Sequence, residues 1–134
     1  MHDRDATHIA IEDNKDIIRV RASVREAALE MGFKHIDQVR LVTAASELAR
    51  NIRLYAGRGR VEIRCIRQNE CSGLQVKFED EGPGIADIAL AMTDGYSTSR
   101  GLGKGLPGAR RLVDEFEIES DAGIGTRVII RKWL

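Results

Sequence analysis

The first half of the chain combines one short strand pattern with two long helical patterns. Residues 6–12 favour a strand, and Asp13-Asn14 after it are good N-caps. Apolar residues then recur at helical spacing until Gly32, a natural helix stop. A second helix is predicted from Ile36 to Ala56, and Gly57-Arg58-Gly59 ends it. The two apolar stripes consist of Ile17, Val20, Val24, Ala27 and Met31, and of Leu41, Ala45, Leu48, Ile52 and Tyr55.

The second half of the chain changes to a period of two, which predicts strands. The turn-like segment 68–73 joins the first two of them into a β-hairpin. Residues 85–92 read as a short helix or loop, and a helix from Leu106 to Val113 would hold Pro107 in its first turn. This order predicts an α/β two-layer sandwich with one mixed, mostly antiparallel sheet and helices on one face. The predicted strands of this half are 61–65, 74–80, 116–120 and 125–133.

Composition bounds the class of protein. With 134 residues, 43% hydrophobic and 31% charged, the chain has the makeup of a single globular domain, residues 1–134. Its 21 basic and 21 acidic residues leave no net charge to attract nucleic acid or an anionic membrane. The N-terminus is too polar for a signal peptide, and the apolar runs are too short to span a membrane. Cys65 and Cys71 suit reduced thiols. We therefore expect a cytoplasmic protein without nucleic-acid or membrane partners.

Asp80 carries a carboxylate to the apolar side of its strand. It continues the phase of the apolar residues in segment 74–78, immediately before Glu81-Gly82-Pro83-Gly84. An inward carboxylate is costly unless a donor meets it, and the glycines let the backbone approach a flat or anionic ligand. Thr126 follows Gly125 and faces the same covered side by its phase, although an ordinary β-turn before a strand is the alternative. The ends of these two strands are predicted to line one ligand pocket.

Glu47 and Asn51 form a second candidate pair. They lie one helical turn apart beside the apolar stripe, at the boundary between core and solvent. A carboxylate can take a proton from a hydroxyl nucleophile, and an Asn oxygen suits magnesium. Taken alone, this spacing is more typical of the polar flank of an amphipathic helix.

Alternating glycines precede the last predicted helix, in the segment Gly101-Leu-Gly103-Lys-Gly105-Leu-Pro-Gly108. Free backbone N–H groups and the positive end of a helix dipole make an anion cradle there, and Arg100 and Lys104 add positive charge. The G-x-G-x-x-G within this segment is no dinucleotide fingerprint, because no buried strand precedes it and too little chain follows for a βαβ unit. A flexible loop that ends in a helix is the alternative.

The order of these elements resembles the GHKL ATP-binding superfamily, whose members include gyrase B, Hsp90, histidine kinases and the MutL repair proteins. The shared order is E-x-x-x-N on a helix, D-x-G-x-G after a strand, a G-x-G-x-G lid, and G-x-G-T before the last strand, over residues 10–133. A module of this size resembles the anti-sigma-factor serine kinases. Glu47–Gly57, Asp94–Ser99 and Gly101–Gly108 are most similar to the switch kinases of the bacterial stressosome.

This resemblance implies a role for each position. Asp80 would accept a hydrogen bond from the adenine amino group, and Thr126 would help at the same base, directly or through a water. Asn51 would hold Mg²⁺ against the triphosphate of ATP, and Glu47 would be the general base toward a substrate hydroxyl. The other implied nucleotide contacts are Gly82, Gly84, Gly101, Gly103 and Gly105, with Arg100 or Lys104 at the γ-phosphate.

The resemblance also implies an ATP-dependent protein serine/threonine kinase. Its substrates would be STAS-domain antagonist and scaffold proteins, and it would switch partners to activate a PP2C-type phosphatase in a sigma-factor stress response. The alternative function is a nucleotide-dependent binding module, an anti-sigma factor or partner clamp with little catalytic role. The catalytic fragment of a histidine kinase is disfavoured, because no helical hairpin with a phosphoacceptor His precedes the domain.

Overall fold

A computed structural model of the protein describes residues 6–84, 102–121 and 123–134. The predicted helix or loop at 85–92 lies outside these residues. Both long helices and all five predicted strands are confirmed, with boundaries that differ by a few residues. The elements are β1 (Thr7–Ile11), α1 (Lys15–Met31), α2 (His35–Asn51), a π-helical segment (Ile52–Ala56), β2 (Gly59–Gln68), β3 (Cys71–Asp80), α3 (Leu102–Arg111), β4 (Glu115–Asp121) and β5 (Gly125–Trp133).

The five strands form one sheet in the order β1-β2-β3-β5-β4, and every neighbouring pair in the described sheet is antiparallel. The hairpin of β2 and β3 turns through two residues, Asn69 and Glu70, which both have positive φ (53° and 68°). This turn is shorter than the predicted segment 68–73, because two residues in the left-handed region match the twist of the flanking strands. The register places Asp80 opposite Gly59 on one side and opposite Thr126 on the other.

The helices cover one face of the sheet, so the predicted two-layer sandwich is confirmed. Side chains of alternating strand positions meet the apolar stripes of α1 and α2 in one core. The opposite face carries ion pairs such as Arg60 with Glu79 (3.2 Å) and Arg64 with Glu62 (3.1 Å), which keep it solvated. The fully buried side chains that define the core include Ile11, Val20, Leu41, Leu48, Leu74 and Ile130.

The ends of the helices follow their local sequence. Gly32 ends α1 with φ 91°, and its N–H donates to Ala28 and Leu29, as a left-handed C-cap does. Asn14 is the N-cap residue of α1 but makes no side-chain capping bond. Asp13 supplies that bond instead, because its Oδ1 accepts from the N–H of Lys15 (2.8 Å).

Helix α3 begins at Leu102, so the prediction that it begins at Leu106 is wrong. The backbone of residues 103–105, predicted as loop, is helical, and Pro107 lies beyond the first turn. Glycine has a low helix propensity, which places the predicted boundary too late, but tertiary packing often overrides propensity. Leu106 and Ala109 are buried in the core, and α3 packs against α2.

Candidate functional site

The carboxyl end of α2 meets the end of β3, and the predicted site residues gather at this junction. Gly59 of β2 lies between the two elements: a Cβ at this glycine would stand 3.0 Å from Cγ2 of Ile52 and 3.1 Å from Cβ of Asp80. Asn51 directly precedes Ile52, and Glu47 lies one turn earlier on α2. The fold therefore brings the helix pair and the strand end together, although they are distant in sequence.

A π-helical segment extends α2 past Asn51. Its final hydrogen bond runs from the N–H of Gly57 to the carbonyl oxygen of Ile52 (2.8 Å). Arg53 fixes this segment to the β1–α1 connection, because its guanidinium donates to the Glu12 carbonyl (2.9 Å), to Oδ1 of Asn14 (3.3 Å) and to the Gly57 carbonyl. Single π-helical turns are frequent at functional sites. Sequence periodicity alone had indicated an ordinary helix up to Ala56.

Asp80 is half-buried on the helix side of the sheet, as its phase predicts. Burial raises the pKa of its carboxyl group, while the backbone N–H groups of Gly82 and Thr126 and the charge of Arg60 lower that pKa in part. The N–H of Gly82 donates to Oδ1 at 2.9 Å. The inward carboxylate is thus met by backbone donors of the chain itself. A carboxylate has about four acceptor positions, so capacity for a further donor remains.

A row of polar side chains crosses the sheet beside Asp80. Oγ1 of Thr126 lies 2.8 Å from Oγ of Ser120, and Ser120 also donates to the carbonyl of Gly125 (3.0 Å). Ser120 is opposite Thr126 in the register, and Thr126 is opposite Asp80. Sequence reasoning missed Ser120, although its phase with Phe116 and Ile118 is the same signal that singled out Asp80.

Two glycines of the site are required by close packing. A Cβ at Gly82 would stand 2.5 Å from Cβ of Ala56, so this glycine lets the loop after β3 reach the π-helical segment. A Cβ at Gly125 would overlap the carbonyl oxygen of Asp80, and Gly125 has φ 150°. Gly84 has φ 77°, which favours glycine. The approach of Gly82 and Gly84 to a nucleotide stays a prediction, while the close packing at Gly82 and Gly125 is visible.

Asn51 carries a buried amide nitrogen at the end of α2. Its Nδ2 is buried, and no hydrogen-bond partner for it is found among the residues that the structure describes. An unsatisfied buried amide costs free energy of about 1–3 kcal/mol, so a ligand that supplies a partner would be stabilised. The amide also offers an oxygen, which is a ligand that Mg²⁺ accepts. The residues present therefore fit a magnesium–nucleotide at this position.

Glu47 keeps access to solvent, with 38% of its side chain exposed. Its Oε2 lies 3.3 Å from Nη1 of Arg50 on the same helix. The pair is weak because Arg50 is exposed. Glu47 can therefore reach an incoming hydroxyl group, which a general base requires.

The remaining predicted contacts lie at the glycine-rich segment. Arg100 and Gly101 fall outside the described residues. Gly103, Lys104 and Gly105 belong to the first turns of α3. The first N–H groups of a helix have no partner within it, so the backbone there has donors for an anion. The phosphate contacts of these residues stay predictions.

Within the described residues, no group of three or more His, Cys, Asp or Glu side chains is arranged to hold a metal ion. None of the described helices has the length and apolar character needed to cross a membrane.

Comparison with known proteins identifies the family. Residues 36–134 match the family of histidine kinase-, DNA gyrase B- and HSP90-like ATPases. The chain is 49% identical to the serine/threonine-protein kinase RsbT of Bacillus subtilis over 134 residues, which cover 100% of this chain and 99% of that protein. It is 33% identical to an anti-sigma F factor of Clostridium novyi, over 90% of this chain and 87% of the relative.

Solved structures agree at the level of the fold. The RsbU and RsbW domains of a Mycobacterium tuberculosis protein match with a TM-score of 0.64 and 21% identity, over 95% of this chain and 32% of that one. The SiaB–SiaC complex of Pseudomonas aeruginosa matches with a TM-score of 0.56 and 14% identity, over 96% of this chain and 89% of that one.

These matches bear on the predictions from sequence. The GHKL fold and the enzyme class, a protein serine/threonine kinase, are confirmed by the family match and by the similarity to RsbT over the full chain. The chain belongs to the family of histidine kinase-, DNA gyrase B- and HSP90-like ATPases.

Proposed function

We propose that this protein transfers the γ-phosphoryl group of ATP to a serine or threonine of a STAS-domain protein. We further propose that it then switches partners to activate a PP2C-type phosphatase in a sigma-factor stress response. The observation that carries the proposal is the buried amide nitrogen of Asn51, which has no hydrogen-bond partner among the described residues. It lies one turn after the accessible carboxylate of Glu47 and directly before Ile52, which borders Gly59 as Asp80 does.

The strand ends would bind the adenine base. Asp80 would accept a hydrogen bond from the adenine amino group with the acceptor capacity that its backbone donors leave free. Thr126 is opposite Asp80 and shares a hydrogen bond with Ser120, which would hold its hydroxyl in place beside the base. A buried hydrogen bond to the base would select adenine over bases that lack the amino group.

Asn51 would hold Mg²⁺ through its amide oxygen, with nucleotide phosphates and water completing the coordination. Bound Mg²⁺ supplies neutralisation of the charge that develops on the phosphates. The amide nitrogen of Asn51 is buried at the end of α2, and Arg53 holds the turn that follows. The chain thus contributes a rigid position at the point where the triphosphate would lie.

Glu47 would act as general base. The acceptor hydroxyl loses its proton to the Glu47 carboxylate as its oxygen forms a bond to the γ-phosphorus, while the bond from that phosphorus to the β–γ bridging oxygen breaks and ADP leaves. Arg50 holds the carboxylate at 3.3 Å from outside the core, so this contact can yield to the substrate.

The test of the transfer step is incubation of the protein with Mg-ATP labelled in the γ-phosphate and a STAS-domain protein of the same genome. We expect label on serine or threonine, and we expect Glu47→Gln to slow transfer by about 10²- to 10⁴-fold with nucleotide affinity retained. Glu30→Gln, a change of an exposed glutamate on α1, is the matched control. Transfer by Glu47→Gln at the rate of the control would refute the role of Glu47.

The test of the adenine site is Asp80→Asn. Loss of one buried hydrogen bond to the base should weaken ATP binding by about 1–3 kcal/mol, measured by calorimetry. Ser120→Ala should have a smaller effect, because Ser120 would act on the base through its hydrogen bond with Thr126. Unchanged affinity in Asp80→Asn would remove Asp80 from the nucleotide site.

A second candidate function is a nucleotide-dependent binding module that acts as an anti-sigma factor or partner clamp. The similarity to proteins named anti-sigma F factor favours it as the alternative. A variant of Glu47 distinguishes the two functions. If Glu47→Gln abolishes transfer yet leaves control of the partner intact, binding is the function and transfer only regulates it.

A further inference from the structure

A groove on the outer side of the helix layer belongs to no part of the proposed nucleotide site. It lies between α1 and α2 and encloses about 400 Å³. Two large apolar side chains line it and are open to solvent, Ile18 with 66% and Val39 with 46% of their surface exposed. Ala22 and Val42 also line the groove and extend its aliphatic surface. Exposed apolar surface of this kind marks an interaction site more often than an isolated exposed side chain does.

The charged residues that line this groove are all basic. Arg21 and Arg25 lie one turn apart on α1 and are exposed, and His35 lies at the start of α2. Neither arginine forms an ion pair with a carboxylate in the part of the chain that the structure describes. By contrast, Arg19 on the neighbouring face of α1 pairs with Asp16 at 3.1 Å. The groove therefore has apolar surface beside two arginines that no described carboxylate pairs with, which complements an amphipathic segment with carboxylates along its apolar stripe.

The groove also leads toward the proposed catalytic base. Thr43 lines the groove, and Glu47 follows four residues later on the same helix. Residues four apart share one face of a helix and are separated by about 6 Å along its axis. A segment seated between α1 and α2 would thus end about one helical turn from the Glu47 carboxylate.

We infer that this groove docks an acidic amphipathic helix of the acceptor protein and so delivers the acceptor hydroxyl to Glu47. The inference rests on the proposed kinase function, because Glu47 is the base of that reaction. A second copy of this chain fits the groove less well. A twofold interface there would bring Arg21 and Arg25 of both copies together across the axis, and like charges oppose association.

The experiment uses the full chain and a fluorescently labelled STAS-domain protein of the same genome. One variant combines Arg21→Glu with Arg25→Glu, and a second carries Ile18→Asp. Arg67→Glu combined with Arg110→Glu, at two exposed arginines outside the groove, is the matched charge control. We expect the first two variants to raise the KM for the acceptor protein and its Kd, by anisotropy, at least tenfold. The KM for ATP, and the transfer rate at saturating acceptor, should stay those of the wild type.

The possible failures are distinguishable. Transfer with an unchanged acceptor KM in both groove variants would overturn the docking site and leave the kinase function standing. Binding that is lost in the groove variants without any transfer by the wild type would overturn the kinase function and leave the docking site standing. No binding to the wild type would overturn both. Self-association of the wild type that Ile18→Asp abolishes, measured by sedimentation, would assign the groove to a second copy and overturn the inference.

Discussion

The two ends of strand β5 hold buried polar groups in opposite ways. At its carboxyl end, Lys132 is 7% exposed and its Nζ lies 3.6 Å from Oδ1 of Asp37 and 3.5 Å from Oδ1 of Asp114. Asp114 also accepts a hydrogen bond from the N–H of Trp133 (2.8 Å). The buried cation is thus compensated by two carboxylates, one from α2 and one from the segment before β4.

At the amino end of β5, compensation is incomplete. Asp80 beside Thr126 is met by backbone donors and has a raised pKa, because burial outweighs those donors and the charge of Arg60. Asn51 nearby has a buried amide nitrogen for which the described residues provide no partner. A polar group that the chain itself satisfies stabilises the fold, whereas a partly satisfied one is costly until a ligand arrives. The comparison therefore separates a structural cluster from a binding site within one strand.

The largest expected effect concerns the backbone frame of the binding end. Gly125→Ala would force a Cβ into the carbonyl oxygen of Asp80 and impose φ 150° on a residue with a side chain. Overpacking and backbone strain together should lower the free energy of unfolding by about 3–5 kcal/mol. Gly108→Ala in α3, where a Cβ has open space, is the control and should stabilise by about 0.5–1 kcal/mol. Equal stability of the two variants in urea unfolding would contradict the close approach of β3 and β5.

The second largest effect is expected when the ion pairs of Lys132 at the carboxyl end of β5 are removed. Lys132→Met removes the cation and keeps an apolar chain of similar length, which leaves Asp37 and Asp114 facing each other without it. We expect a loss of about 2 kcal/mol in the free energy of unfolding, less than for a fully buried pair because both carboxylates are partly exposed. Lys77→Met, which disrupts a pair at 3.9 Å, should cost under about 1 kcal/mol. The affinity for ATP should be unchanged in both variants, and weaker ATP binding by Lys132→Met would undermine the separation of the two ends.

Sequence periodicity predicted the polar residues at the amino end of β5 and missed the Lys132 cluster at its carboxyl end. Asp80 and Thr126 were found because each continues the apolar phase of its strand. Lys132 continues the phase of Val128 and Ile130 in the same way, yet no local pattern pairs it with Asp37, which lies on another element at the far end of the sequence. Period and phase are properties of one segment, so they show which side chains turn inward. They cannot show which distant side chain meets them there.

The same limit applies to the glycines and to the helix ends. The pattern D-x-G-x-G suggested that Gly82 is needed for a ligand, but the position of its missing Cβ is filled by Ala56 of the π-helical segment. The π-helical segment itself had no sequence signal, because its contacts through Arg53 depend on the chain before α1. The site was predictable where one strand or helix defines it, and unpredictable where two elements meet.

The smallest expected effect is the pH dependence of stability that Asp80 causes at the amino end of β5. The pKa of Asp80 is higher in the folded state than its ordinary value of 3.8, so the folded protein binds this proton more tightly than the unfolded chain does. The contribution of Asp80 to stability is therefore fully present below about pH 3.8 and is lost as the pH rises through the raised pKa. Asp80→Asn removes the ionised carboxylate, so without nucleotide it should raise the Tm by a few degrees at pH 7 and by nothing near pH 3.8.

Glu81→Gln, the adjacent and exposed carboxylate, removes the same formal charge and controls for net charge. Thermal unfolding of both variants at a series of pH values measures the difference. A Tm for Asp80→Asn at or below that of the wild type at pH 7 would mean that the folded chain already satisfies the ionised carboxylate. Asp80 would then be a structural group like Lys132. The main difference between the amino and carboxyl ends of β5 would be lost. A Tm gain for Asp80→Asn that disappears on acidification would instead mean that ionised Asp80 destabilises the free protein. A bound base that donates to the carboxylate would then offset this cost.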